Sequence, residues 1–68
     1  GQKDSDENVP TIGDNVYFSP GAMVFGKVRI GNNVIIAPNT VVVKDVPDNC
    51  VVSGVPAKII KQNGIKMP

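Results

Sequence analysis

The stretch that decides the fold runs from Ile12 to Pro47. It reads Ile12-Gly-Asp-Asn-Val-Tyr17, Phe18-Ser-Pro-Gly-Ala-Met23, Val24-Phe-Gly-Lys-Val-Arg29, Ile30-Gly-Asn-Asn-Val-Ile35, Ile36-Ala-Pro-Asn-Thr-Val41, Val42-Val-Lys-Asp-Val-Pro47. The first residue of every hexad is large and apolar: Ile12, Phe18, Val24, Ile30, Ile36, Val42. The fifth is small or β-branched: Val16, Ala22, Val28, Val34, Thr40, Val46. The fourth is Asn15, Gly21, Lys27, Asn33, Asn39 and Asp45, and Gly, Asn and Asp are the residues that tolerate positive φ. Pro20-Gly21 and Pro38-Asn39 are signatures of the central pair of a type II turn. Each hexad therefore predicts a tight corner at positions two to four and a short strand over five, six and one. Side chains alternate along a strand, so five and one point inward and six points outward. Lys27 breaks the corner column, and Gly26 before it is expected to take the left-handed conformation instead.

A longer period lies over the short one. Gly13-Asp14-Asn15 recurs as Gly31-Asn32-Asn33, and Ser19-Pro20-Gly21 as Ala37-Pro38-Asn39, each three hexads on. Three strands per turn make the six hexads two coils of a triangular parallel solenoid, with backbone hydrogen bonds running between coils. A β-sandwich would place its turns every 8–12 residues. After Pro47 the hexad ends, and Cys50 to Lys61 reads as a partial coil and cap. The expected organisation is a polar N-terminal loop at 1–8, a β-helix with its cap at 9–61, and a flexible tail at 62–68. In register, Tyr17 should stack on Ile35, Met23 on Val41 and Arg29 on Pro47, which leaves two faces apolar outside. Such a patch points to a subunit interface. The coil starting at Ile12 presents a raw parallel edge, so preceding coils or oligomerisation are expected to cover it.

Composition narrows the function. The 68 residues carry a net charge of +1 with no polybasic run, which gives no support for nucleic-acid or membrane-surface binding. No apolar run approaches the ~20 residues of a membrane span. There is no histidine, which removes the commonest general base and zinc ligand from this chain. No metal site is expected. One cysteine, Cys50, excludes an internal disulfide and reads as an inert buried thiol. No signal peptide pattern is seen, and a cytoplasmic location is expected.

The hexads, with Asp45-Val46-Pro47-Asp48-Asn49 and Gly54-Val55-Pro56-Ala57-Lys58-Ile59-Ile60, resemble the hexapeptide-repeat acetyltransferases. Val9 to Lys61 is most similar to the C-terminal part of serine acetyltransferases and related sugar O-acetyltransferases. The resemblance implies an all-β fold, a left-handed parallel β-helix, although parallel crossovers are otherwise right-handed. It implies an acetyl-CoA-dependent O-acetyltransferase acting on a hydroxyl acceptor, L-serine or a sugar, and a homotrimer with acetyl-CoA between neighbouring prisms. The family uses a histidine as general base. Where serine acetyltransferases carry Arg-His-Pro, this chain has Asn8-Val9-Pro10, which puts serine as acceptor in question. No catalytic residue is therefore assigned here, and the chain alone is expected to be inactive. The resemblance implies acetyl-CoA contacts at Pro20, Gly21, Ile35, Pro38, Asn39, Lys58 and Lys61. Two solvated surface lysines are the plain alternative for the last pair. The competing functions are a non-catalytic trimerisation or scaffold module, and a γ-carbonic-anhydrase-like metalloenzyme, which the absence of histidine disfavours.

Overall fold

A computed structural model describes residues 9–68, so the expected loop at 1–8 lies outside the described residues. Six two-residue strands open the fold: β1 (Thr11–Ile12), β2 (Tyr17–Phe18), β3 (Met23–Val24), β4 (Arg29–Ile30), β5 (Ile35–Ile36) and β6 (Val41–Val42). Each falls on positions six and one of a hexad. They pair in parallel at an offset of eighteen: Thr11 with Arg29, Tyr17 with Ile35, and Met23 with Val41. Three strands thus close one coil. The architecture is the expected left-handed parallel β-helix, with three faces built on β1–β4, on β2–β5 and on β3–β6.

The corners follow from the fourth-position column. Asn15, Asn33 and Asn39 have φ of 60°, 59° and 57°, and Gly21 has 81°. Gly26 takes φ 84°, which relieves Lys27 of a conformation that a long side chain resists. The Ser19 carbonyl accepts from the Ala22 N–H at 3.1 Å, closing the turn around Pro20-Gly21. At the corner between the first and second faces the asparagines stack. Asn15 Nδ2 donates to Asn33 Oδ1 at 3.3 Å, Asn33 Nδ2 to Asn49 Oδ1 at 3.2 Å, and Asn49 Nδ2 to Asn63 Oδ1 at 3.2 Å. Asn49 and Asn63 share the left-handed backbone, at φ 59° and 52°.

The inward columns form one core of Val28, Ile30, Val34, Ile36, Val42, Val46, Cys50 and Val52. Thr40 is buried with them, and its Oγ1 accepts from the Gly54 N–H at 3.3 Å. The first coil is more open. Val16, Ala22 and Val24 are half-buried, while the inward Ile12 and Phe18 are 41% and 40% exposed at the end away from the cap.

The third coil corrects the register. Ile30 bridges to Val46, and Ile36 pairs with Val52, both at an offset of sixteen. Two residues are lost in the turn between Val42 and Val46. Val46 still points inward, but in the column of Ile12 and Ile30 rather than that of Val28. Arg29 consequently lies beside Asp45, not Pro47: Asp45 Oδ1 accepts the Arg29 N–H at 2.9 Å, and the Val46 N–H donates to the Arg29 carbonyl at 2.8 Å. A second carboxylate does the same at the next corner, where Asp48 Oδ1 accepts the Asn32 N–H at 2.7 Å.

The cap then reverses the chain. β7 (Cys50–Ser53) pairs in parallel with β5. The Val41 N–H donates to the Gly54 carbonyl, and the Ala57 N–H to the Val41 carbonyl, so 54–57 covers the third face. β8 (Lys58–Gln62) returns antiparallel along β7, and β9 (Ile65–Lys66) folds back along β8. The residues from 62 on, expected as a flexible tail, thus contribute to a hairpin. Its turn is Asn63-Gly64, with positive φ at both residues as a two-residue type I′ connection requires.

Gly21 is the position where the corner chemistry is tightest. A Cβ there would meet Asn39 Oδ1, and φ 81° is poorly suited to a β-branched residue. Gly21→Val should destabilise by about 1–3 kcal/mol in chemical denaturation. Gly21→Asn should cost less, because Asn already stacks on Asn at the neighbouring corner. Equal losses for both variants would contradict this reading of the corner.

Candidate functional site

The corner between the second and third faces is a column of small and imino residues. Pro20-Gly21 lies under Pro38-Asn39, joined by the Asn39 N–H donating to the Pro20 carbonyl at 3.1 Å. Pro20 and Pro38 contribute carbonyls but no N–H, so a ligand passing here meets fewer backbone donors than at an all-amide corner. The two prolines, Gly21 and Asn39 are all exposed. Ile35 precedes the upper corner on β5 and is 46% exposed. It stands between Tyr17, 60% exposed, and the half-buried Val51, in a continuous outward row across β2, β5 and β7. The eighteen-residue register brings Tyr17 and Ile35 together, and Val51 joins them at the shortened offset of sixteen.

Lys58 and Lys61 lie on the same face, beyond that row. Lys61 pairs with Val51 and Lys58 with Ser53 across the β7–β8 ladder. A register shift between Val51 and Val52 lets both lysines remain outward while Ile59 packs on the core. The structure therefore gathers all seven expected contact residues along one corner and its adjoining face. Lys61 stands at the far end of that face, next to the Asn63 corner. Lys66 escaped sequence reasoning. The pair Asn63-Gly64 between two short apolar-charged runs was the signal for a hairpin that would place it opposite Lys61.

A shallow cleft of about 220 Å³ lies on the first face, lined by Thr11, Gly13, Arg29, Ile30, Gly31, Asn32 and Asp48. Its floor exists because Gly13 and Gly31 carry no side chain. A Cβ at Gly13 would meet Asn32 Oδ1 and the Gly31 carbonyl, and one at Gly31 would meet Asp48 Oδ1. Those amide and carboxylate oxygens are engaged with the Asp14 and Asn32 N–H groups, both at 2.7 Å. The cleft is a by-product of corner packing rather than a built ligand site. Among the described residues no group of three His, Cys, Asp or Glu side chains is placed to hold a metal ion.

Cys50 stacks over Val34 in the core, 1% exposed, with its Sγ donating to the Asp48 carbonyl at 3.4 Å. Burial pushes the thiol above its ordinary pKa, and the Asp48 carboxylate adds to the shift. A thiol held neutral and covered is neither nucleophile nor ligand.

A family model described as "Bacterial transferase hexapeptide (six repeats)" matches residues 10–44. A serine acetyltransferase of Synechococcus elongatus is 40% identical over 65 residues, 96% of this chain and 27% of that protein. The crystal structure of a Neisseria gonorrhoeae serine acetyltransferase superposes with a TM-score of 0.82 at 40% identity, over all of this chain and 26% of that one. A galactoside acetyltransferase in complex with coenzyme A superposes with a TM-score of 0.76 at 38% identity, over 78% of this chain and 26% of that one. The chain thus spans less than a third of the length of these relatives.

The buried thiol gives a direct test of the third coil. Cys50 should react with a maleimide far more slowly in native protein than in denaturant at the same pH. Because its folded pKa is raised, the associated stability is present at neutral pH and lost as pH climbs through the folded value. Native labelling as fast as denatured labelling would place Cys50 outside the core.

Proposed function

This chain belongs to the bacterial transferase hexapeptide family, and from that premise we propose that it is the C-terminal part of an acetyl-CoA-dependent O-acetyltransferase of the serine acetyltransferase type. The observation that carries the proposal is the match of nearly the whole chain to serine acetyltransferases, together with a geometry suited to the donor. An open corner at Pro20-Gly21 and Pro38-Asn39 adjoins an exposed apolar row through Ile35, with Lys58 and Lys61 beyond it. A long flexible thiol arm ending in a phosphorylated nucleotide fits such a surface: apolar contact for the arm, cationic contact for the phosphates.

Acetyl-CoA supplies the activated acetyl thioester. This chain's residues bind and orient it. Gly21 keeps the lower corner low enough for close backbone approach, Asn39 offers an amide at the upper corner, and Ile35 excludes water from the side of the arm. The chain contains no histidine to take the proton from an attacking hydroxyl. That base would be supplied by another part of the protein or by a neighbouring subunit. The acceptor is a small hydroxyl compound. L-serine and a sugar both fit this reading, since relatives and neighbouring structures include serine, galactoside and maltose acetyltransferases. A cytoplasmic location accords with such a donor and with a reduced Cys50.

The assembly we propose is a homotrimer, the closed form in which each prism's groove is completed by its neighbour. The apolar pairs Tyr17/Ile35 and Met23/Val41 favour it, with Tyr17, Met23 and Ile35 each about half exposed. Ile35→Lys with Met23→Lys should lower the assembly state in sedimentation velocity. A folded monomer in the unsubstituted protein would remove the trimer.

Thiol release from acetyl-CoA, measured with serine, galactoside and maltose as acceptors, tests the activity. The 68-residue chain alone should give no turnover proportional to its concentration, whereas the full protein should acetylate one of the acceptor classes. Turnover by the isolated chain would contradict the absence of a base, and none by the full protein would contradict the enzyme.

A further inference from the structure

Thr40 is the one buried polar side chain among the described residues, and it breaks the fifth-position column. The other members of that column are Val16, Ala22, Val28, Val34 and Val46. A hydroxyl enclosed in an apolar core costs free energy unless it is paired, and valine has the same shape without that cost. The reason for the exception lies one coil above. At the regular corner below, the Ala22 N–H closes its own turn onto the Ser19 carbonyl at 3.1 Å. Gly54 takes the corresponding place over Thr40. The Met23 N–H donates to the Thr40 carbonyl, and one coil on the Val41 N–H donates to the Gly54 carbonyl. Gly54, however, follows straight from β7 and has no corner of its own to close. Its N–H is met instead by Thr40 Oγ1 at 3.3 Å.

That bond joins two parts of the donor surface. Thr40 directly follows Asn39 at the upper corner. Gly54 opens the 54–57 segment, which covers the third face and leads into β8 at Lys58. The backbone of Val41 holds the two ends of that segment, at the Gly54 carbonyl and the Ala57 N–H. The Thr40 hydroxyl supplies the tie that runs into the core. Gly54 has φ 108°, in a region that glycine enters freely, so its peptide has other conformations to adopt once the tie is gone.

Resting on the acetyl-CoA reading, we propose that Thr40 is a positioning residue for the donor: through Gly54 it fixes the cap relative to the Pro38-Asn39 corner. Thr40 is fully buried and touches no ligand. A donor that reaches from corner to cap binds more tightly when the two are already ordered, because ordering them on binding costs affinity.

Thr40→Val and Thr40→Ser in the full protein test this role. Valine keeps the shape and leaves the Gly54 N–H unpaired, whereas serine keeps the hydroxyl. Amide exchange over residues 53–57, read by mass spectrometry, should quicken about tenfold in Thr40→Val, the scale of one hydrogen bond. CoA affinity by calorimetry should weaken about three- to tenfold, and KM for acetyl-CoA should rise alike, with kcat and the acceptor KM unchanged. Thr40→Ser should restore both exchange and affinity. Thr40→Ala, which removes the hydroxyl with less bulk, should repeat the valine result. Val28→Ala, in the same core beside the first face, should lower the thermal midpoint and leave CoA affinity unchanged. Unchanged exchange in Thr40→Val and Thr40→Ala would overturn the tie. Faster exchange with unchanged CoA affinity, or equal weakening in Thr40→Ser or Val28→Ala, would overturn the positioning role with the donor reading intact. Failure of the unsubstituted protein to bind CoA would overturn both.

Discussion

Everything in this molecule depends on the chain turning through a left-handed backbone conformation once in each of the first five hexads. That conformation is costly for most residues and cheap for Gly and Asn. Supplied at Asn15, Gly21, Gly26, Asn33 and Asn39, it sets the corner spacing, and the corner spacing sets which side chains point inward. The asparagine corner adds a second function to the same residue. Each carboxamide both tolerates the turn and hydrogen-bonds to its neighbour one coil away, so the ladder from Asn15 to Asn63 fixes register as well as direction. Valine or threonine in that column would forfeit both.

The period of six and its threefold grouping were open to inspection because they repeat. The inward columns, the outward rows Tyr17/Ile35 and Met23/Val41, and the shift of strain from Lys27 to Gly26 all follow from that repetition. What repetition does not carry is the place where it stops. The third coil loses two residues, and there the Asp45 carboxylate accepts the Arg29 N–H where one coil below the Val28 carbonyl accepts the Thr11 N–H, while Asp48 repeats the role of Asn32. Read as a hexad residue, Asp45 carries no sign of that role. The Thr40 hydroxyl is a further case. It appears as one more small inward residue, yet it receives the Gly54 N–H and so links the core to the cap. The hairpin at Asn63-Gly64 was marked by its turn dipeptide, but its partner strands are two and five residues long and have weak patterns of their own.

The distribution of polarity over the three faces gives the solenoid a functional direction. Thr11, Arg29 and Asp45 make the first face polar, with Asp45 Oδ1 accepting the Arg29 backbone N–H. The second and third faces carry the exposed apolar rows, and the cap sets three lysines at the end of the second. The rigid corners contribute little chemistry of their own. They hold an apolar strip and a cationic end at fixed separation, which is what orienting a long, flexible, terminally charged donor demands. Under the proposed function, the chain itself offers no histidine to take the acceptor's proton, and it spans less than a third of the length of the relatives it matches.

The central claim is that the donor lies along the corner at Pro20-Gly21 and Pro38-Asn39 and across the face bearing Ile35 and Val51. Methyl-labelled NMR of the full protein during a CoA titration reads this directly. The account predicts shifts at the Ile35 and Val51 methyls, with those of Ile12 and the buried Ile30 unmoved. Shifts confined to the first face around Thr11 and Arg29, or none at saturating CoA, would contradict it.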